Sequence, residues 1–258
     1  MGSYAFRLSW RFLPVWRRNF LVWRKLALPS VLGNLADPMI YMLGLGYGLG
    51  AFLPSVAGVP YIAFLAAGTV CFSTANSATF ESLYSAFSRM HVQRTWDAIL
   101  NAPLTLEDVV LGELMWAASK SFLSGLAIML VIWALGFGHS LLSLWALAVI
   151  PVIGLAFAAL GLAVTALSPS YDFFMYYFTL FITPMAMLCG VFYPMDALPP
   201  ALQLFSHVLP LSHATQLVRP LLFGEWPTHA FLHIAALLAY AAAGFYAALV
   251  LFKRRLMK

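Results

Sequence analysis

Apolar residues along this chain gather into six long blocks separated by short breaks of different character. The blocks cover residues 29–53, 61–88, 109–137, 141–167, 173–193 and 230–252. About 20 residues of helix cross a bilayer core, so each block predicts one membrane-crossing helix. Ahead of the first block, Arg7, Leu8, Trp10, Arg11, Phe12, Trp16, Arg18, Phe20 and Trp23 mix basic and aromatic side chains. That mixture predicts an amphipathic helix within residues 1–28, its arginines at lipid phosphate and its rings at the acyl boundary. A disordered basic tail is the alternative, and five aromatic residues in positions 10–23 argue against it. The expected organisation is an interfacial segment, 1–28, followed by one transmembrane domain, 29–258.

Composition supports that solvent assignment. Of 258 residues, 63% are hydrophobic and 9% charged, against roughly 25% charged in a soluble domain. So few charges cannot cover a globular surface in water. This excludes a soluble enzyme, a nucleic-acid-binding domain and a disordered regulator. The formal net charge of +5 and the pI near 9.3 point to anionic lipid headgroups as membrane partners, with no nucleic acid. Cys71 and Cys189 both lie in apolar runs, which implies neither a disulfide framework nor a metal knuckle.

The basic residues fix the orientation. Six lie before residue 26; Arg89 and Arg94 flank the break after the second block; Lys253, Arg254, Arg255 and Lys258 close the chain. These three clusters hold 12 of the 14 Lys and Arg residues. Six crossings put all three on one side, the cytoplasmic side by the positive-inside rule, and five would strand the last cluster opposite. The first 25 residues are basic and aromatic, and the next apolar run is too long for a signal-peptide core, so no secretory signal is expected.

Polar residues inside the blocks are the next signal, because a bilayer interior disfavours them. The first block holds Asn34, Asp37-Pro38 and the small-residue pairs Gly44/Gly48 and Gly46/Gly50. Glycines four apart allow close helix approach, within the chain or to a second copy. The second block carries Thr69, Ser73, Thr74, Asn76, Ser77, Thr79, Glu81 and Ser82. One face of that helix is expected to line a subunit interface or substrate path, with Ser73, Asn76 and Glu81 as candidates. Hydroxyls bonding back to their own helix would account for Ser and Thr, and they fit Asn76 and Glu81 poorly. In the third block Glu113 and Lys120 stand seven apart on roughly one face. A mid-membrane lysine costs about 2.5–3.5 kcal/mol to insert, so Lys120 needs water or a partner. Glu113, Glu81 and Asp37 are the candidates, as structural ion pairs or as substrate or gating groups.

Two of the breaks look like structure of their own. Within 89–108, Thr95 is positioned to cap a short helix, Asp97 sits in its first turn, and Asn101-Ala-Pro103 ends it. Trp96, Ile99 and Leu100 would then be available to press into a partner's groove; an ordinary interfacial loop is the other reading. The segment 194–228 reads as two short helices, the first begun by Pro199-Pro200, the second capped by Ser212 and stopped by Gly224. Too apolar for a solvated loop and too short to span, they predict a re-entrant or interfacial hairpin packed on neighbouring protein.

Several chemistries are missing. There is no glycine-rich phosphate loop, no nucleophile elbow and no His-Glu-x-x-His pair. His229 and His233 stand four apart, as metal ligands on a helix do, but no third ligand is near; with His207 and His213 they read as interfacial histidines. No enzyme site is expected, so a transporter of this layout must borrow its energy or use an ion gradient.

The stretch 182–219 resembles the signature of ABC-2 type permeases through Ile182, Met185, Leu188, Cys189, Val191, Leu198-Pro199, Pro210-Leu211, His213 and Arg219. Trp23-Arg-Lys25, Gly33 to Pro38, Tyr41 to Gly50 and Thr95 to Leu104 are similar to the nodulation protein J family of lipooligosaccharide exporter permeases, so the likeness covers nearly the whole chain. The resemblance implies an all-α integral membrane protein of the type V ABC exporter kind. It would have six transmembrane helices, an N-terminal interfacial helix, a cytoplasmic coupling helix at 94–101 and a re-entrant extracytoplasmic hairpin before the last span. Arg94, Trp96, Asp97, Ile99 and Leu100 would couple to the ATPase. Two copies of the chain would pair with two separate ATPase subunits, which alone bind ATP and Mg²⁺. The cargo would be an amphiphilic glycolipid or lipo-oligosaccharide, exported across the bacterial inner membrane, with both termini cytoplasmic. Efflux of a hydrophobic drug or lipid by the same machinery stays open, as does, from a different class, an ion-coupled secondary carrier. A membrane-embedded glycolipid enzyme lacks a catalytic cluster.

Overall fold

In a computed structural model, residues 9–138 and 140–256 are described, except for the side chain of Asp37. Arg7, Leu8 and Lys258 lie outside the described residues, as does the Asp37 carboxylate considered above as a partner for Lys120.

The helices are α1 (Phe12–Trp23), α2 (Ala27–Gly48), α3 (Tyr61–Phe80), α4 (Thr95–Leu100), α5 (Leu106–Ala134) and α6 (Ser143–Leu167). They continue with α7 (Asp172–Tyr177), α8 (Thr183–Leu188), α9 (Pro200–Val208), α10 (Pro210–Phe223) and α11 (Ala230–Leu256). Among the described residues, five helical runs are long and apolar enough to cross a membrane: Phe12–Ala51, Tyr61–Val92, Leu106–Ala134, Ser143–Leu167 and Ala230–Leu256. The protein is therefore a mainly helical, multi-pass membrane protein. The sequence blocks and these runs differ at two places. The interfacial segment and first block form one run interrupted only by a 3-10 turn at Arg24–Leu26. The block 173–193 holds a shorter apolar run, Asp172–Leu188. A two-residue ladder of Ser55–Val56 with Val59–Pro60, turning at Ala57 and Gly58, is the one departure from helix among the described elements.

Helix α3 is the centre of the molecule, packed by α2, α5, α6 and α10. Its polarity is absorbed in two ways. Thr69 and Thr74 donate to their own helix at Leu65 O (2.8 Å) and Val70 O (2.7 Å), while Ser73 Oγ meets Ser124 Oγ of α5 at 3.4 Å. Ser73 thus faces a neighbouring helix and not an open path, correcting that part of the expectation. Asn76 keeps a half-buried position. Gly68 lets the chain after α8 come close, since a Cβ there would sit 2.3 Å from Val191 O.

The glycine pairs of α2 divide. A Cβ on Gly46 would meet Ile62 at 2.9 Å and one on Gly50 would touch Tyr61 at 3.9 Å, whereas Gly44 and Gly48 face open space. Intramolecular packing uses one pair, and the other remains uncovered.

Two capping expectations are corrected. Helix α4 starts from Arg94 in the left-handed region (φ 51°), and the Thr95 hydroxyl instead donates to Arg89 O at 2.8 Å. Helix α10 starts at Pro210, whose missing N–H costs nothing at a first turn. This leaves the Ser212 hydroxyl free to donate back to Ser206 O, joining α9 to α10. Gly224 does end α10, at φ 81°. A reciprocal Thr105/Asp108 capping box fixes the start of α5 three residues ahead of the sequence block.

Candidate functional site

The most concentrated chemistry lies where α1, the end of α3, α4 and α5 meet. Beyond Phe80 the third helix widens into two π turns, Glu81–Ser85 and Ser88–Val92, which carry Glu81 and Arg89. Such turns re-aim side chains that a regular helix would send elsewhere. Arg89 Nε donates to Glu113 Oε1 (2.9 Å), its Nη2 to Glu113 Oε2, and its Nη1 to Glu81 Oε1 (2.9 Å). Lys120 Nζ donates to Glu81 Oε2 at 2.7 Å. Neutral donors complete both carboxylates: Trp116 Nε1 to Glu81 (2.8 Å), Trp96 Nε1 to Glu113 (3.2 Å) and Asn19 Nδ2 to Glu113 (3.2 Å).

Glu81 is 2% exposed and Glu113 1%. Carboxylates this deep are tolerable only when paired and fully hydrogen-bonded. The bidentate fork from Arg89 to Glu113 is the strongest geometry available for that. Glu113 and Lys120 do not pair with each other; each takes a partner from the α3 extension. Arg89, Trp116 and Asn19 escaped the sequence reading. Arg89 was grouped with the cytoplasmic loop charges. The available clue was that Glu81 and Arg89 lie eight apart, about two turns on one face.

Helix α4 is tied into this cluster from beneath. Trp96 is fully buried, set edge-on against Phe252 of α11 at 4.9 Å. Ile99 and Leu100 are half-buried against the core. Trp96 therefore cannot press into a partner's groove, because its indole N–H is held by Glu113. The outward face of α4 consists of Arg94, Asp97, Ala98 and Asn101. Around it, Arg255 Nη1 donates to three carbonyls at the end of α6, Thr165 (3.2 Å), Ala166 (3.1 Å) and Ser168 (2.7 Å), and Lys253 pairs with Glu107.

At the other end of the bundle the signature residues hold the 194–228 segment in place. Leu198 O accepts from Gln203 Nε2 at 2.8 Å, Pro199 precedes α9, and Pro210 opens α10. The Arg219 guanidinium donates to Gly190 O and lies 3.8 Å from the centre of the Phe64 ring, which makes it an anchor of the turn after α8. His213 Nδ1 and His233 Nδ1 are 2.8 Å apart, and burial, helped by His233 and His207, pushes the His213 imidazole below the ordinary histidine range. His229 precedes α11 in a left-handed conformation (φ 54°), and its carbonyl accepts from His233 N–H at 3.2 Å. No cluster of three metal-ligating residues occurs among the described residues.

A family profile described as ABC-2 type transporter matches residues 11–223. The chain is 50% identical to nodulation protein J of Rhizobium meliloti strain 1021, over 96% of this chain and 95% of that protein. It is 49% identical to nodulation protein J of Bradyrhizobium diazoefficiens, over 97% and 95% respectively. A more distant similarity, 21% identity over 76% of this chain and 77% of the relative, joins it to the inner membrane transport permease YadH of Escherichia coli.

Proposed function

The chain belongs to the ABC-2 type transporter family, the membrane subunit of a transporter whose ATPase is a separate subunit, and from that premise we propose that it exports an amphiphilic glycolipid or lipo-oligosaccharide across the bacterial inner membrane. Two copies of the chain work with two ATPase subunits, and cargo leaves between them. In this reading Asp172–Leu188, extended to residue 193, is a sixth crossing; α1 lies in the cytoplasmic headgroup layer; both termini are cytoplasmic. The 194–228 hairpin enters the membrane from the far side, closing the pathway there. Asn76, on the half-buried face of α3, and the uncovered Gly44/Gly48 edge of α2 are offered to the cargo or the second copy.

The observation that carries the reading is the tie beneath α4. A helix that served only as a connector would have no need of a buried indole bonded to an intramembrane carboxylate. Trp96 joins α4 to Glu113, and Glu113 joins it through Arg89 to α3. A push from the ATPase on Arg94, Asp97, Ala98 and Asn101 is then delivered to α3 and α5 together. Glu113 and Lys120 are both held in ion pairs, which counts against an ion-coupled carrier, where such groups must bind and release protons or sodium.

The test is to coexpress the chain with its ATPase and measure cargo-stimulated hydrolysis in proteoliposomes. Asp97→Lys should leave the complex assembled or weakened but uncouple hydrolysis from transport. Transport by the purified chain without an ATPase would overturn the reading, as would a C-terminus mapped to the far face.

A further inference from the structure

Between α1, the π-turned end of α3 and α5 lies a cavity of about 370 Å³ whose walls include Arg18, Trp23, Arg89, Trp116, Lys120 and Tyr171. Its wall carboxylate, Glu81, and the neighbouring Glu113 are both engaged. Glu81 Oε1 takes Arg89 and Trp116, and Oε2 takes Lys120. Both oxygens of Glu113 are likewise occupied. The cavity's donors are not. A guanidinium has five N–H donors and an ammonium three. Arg89 commits three and Lys120 one; Arg18 commits one, to Asn19 Oδ1 at 2.9 Å, and has no ion pair among the described residues. Three cations face two carboxylates, leaving one positive charge over.

A cavity with surplus donors and surplus positive charge is complementary to an acceptor-only anion, and phosphate oxygens match best. The surface beside it is apolar: Val22, which lines the cavity, is 59% exposed and Leu26 is 65% exposed. A headgroup seated on Arg18 would thus have its acyl chain running past Val22 and Leu26. We propose that this cavity is a binding site for one phosphate headgroup of an anionic phospholipid per chain, with Arg18 as the principal contact and Lys120 as the second.

The experiment is native mass spectrometry of the purified, delipidated transporter titrated with phosphatidylglycerol, phosphatidylcholine or inorganic phosphate. One phosphatidylglycerol per chain should be retained by the unaltered protein. Phosphatidylcholine should be retained at least tenfold more weakly, since its trimethylammonium meets the same cations. Arg18→Gln should weaken phosphatidylglycerol retention about tenfold, while Arg17→Gln, at an exposed position of the same helix, leaves it unchanged. If inorganic phosphate displaces the lipid, the site recognises the oxyanion alone; if it does not, the acyl chain contributes. Either supports the site. Equal loss in the Arg17 and Arg18 variants, or no loss in either, would overturn it. Should Arg18→Gln not accumulate, hydrogen exchange in the unaltered protein decides. Residues 12–23 should gain protection with phosphatidylglycerol and not with phosphatidylcholine, and equal protection by both lipids refutes the site.

Discussion

Replacing Glu113 by glutamine is the sharpest probe of the buried charge cluster. The carboxylate accepts four hydrogen bonds, from Asn19, Trp96 and twice from Arg89. A glutamine keeps one acceptor oxygen, enough for Trp96 and Arg89 Nε. It turns an NH₂ toward Asn19 Nδ2 and Arg89 Nη2, donor against donor. Arg89 and Lys120 are then left to share Glu81. Removing one partner of a buried pair costs about 3–5 kcal/mol, because the remaining charge stays buried without compensation. The double variant Arg89→Met/Glu113→Gln leaves the Glu81–Lys120 pair and removes the orphaned guanidinium. It should recover at least half of that loss, about 1.5–2.5 kcal/mol, so that the double variant costs far less than the sum of the two singles. Unfolding of the purified protein in mixed micelles, with all members of the cycle measured together, reads these differences. A single variant that loses under 1 kcal/mol, or a double variant whose loss equals the sum of the two singles, would refute mutual neutralisation as what holds these helices.

Other expectations follow from single contacts. Lys120→Met leaves Glu81 paired with Arg89 alone and should destabilise less than Glu113→Gln, by about 1–3 kcal/mol, in the same assay. Arg219→Gln should free the turn at Gly190, costing about 1.5–3 kcal/mol and exposing residues 189–195 to limited proteolysis. Gly68→Ala forces α3 off the Val191 backbone, and the variant should fail to accumulate or melt well below the parent; a normal melting profile would contradict the close approach. Because His213 binds a proton less readily folded than unfolded, its stability contribution is full above the ordinary histidine pKa of about 6.5. That contribution declines as pH falls through this value and levels off below the folded-state pKa. A melting series from pH 8 to pH 5 should show this decline, and His213→Gln should flatten it.

Apolar blocks made most of the helices legible, because spanning length and hydrophobicity are local properties. The short helix after the second block was also visible, from Asp97 and Pro103. What was not visible was its orientation. Trp96 looks from sequence like an exposed anchor and is an interior residue, since its fate depends on Glu113 and Phe252, 17 and 156 residues away. The pairing of the charges was hidden for a related reason. A regular helix places Glu113 and Lys120 on roughly one face but about 10.5 Å apart along the axis, the π turns of α3 bring a guanidinium into reach, and nothing in the local pattern announces a π turn. Likewise Ser212 has the composition of a cap, and proline two residues earlier had already begun the helix. Arg219 stands out in sequence as a cation outside the basic clusters, but its hold on Gly190 O depends on a carbonyl 29 residues away.

The closed group formed by Glu81, Arg89, Glu113 and Lys120 also has a bearing on how such a chain can drift over evolutionary time. Any one of these positions altered alone leaves a buried charge short of a partner, while the loss of an acid together with its base does not. The four sites should therefore be inherited as a block, or lost as one, across descendants. The half-exposed Lys253–Glu107 contact, bathed by solvent on one side, is free to erode one residue at a time.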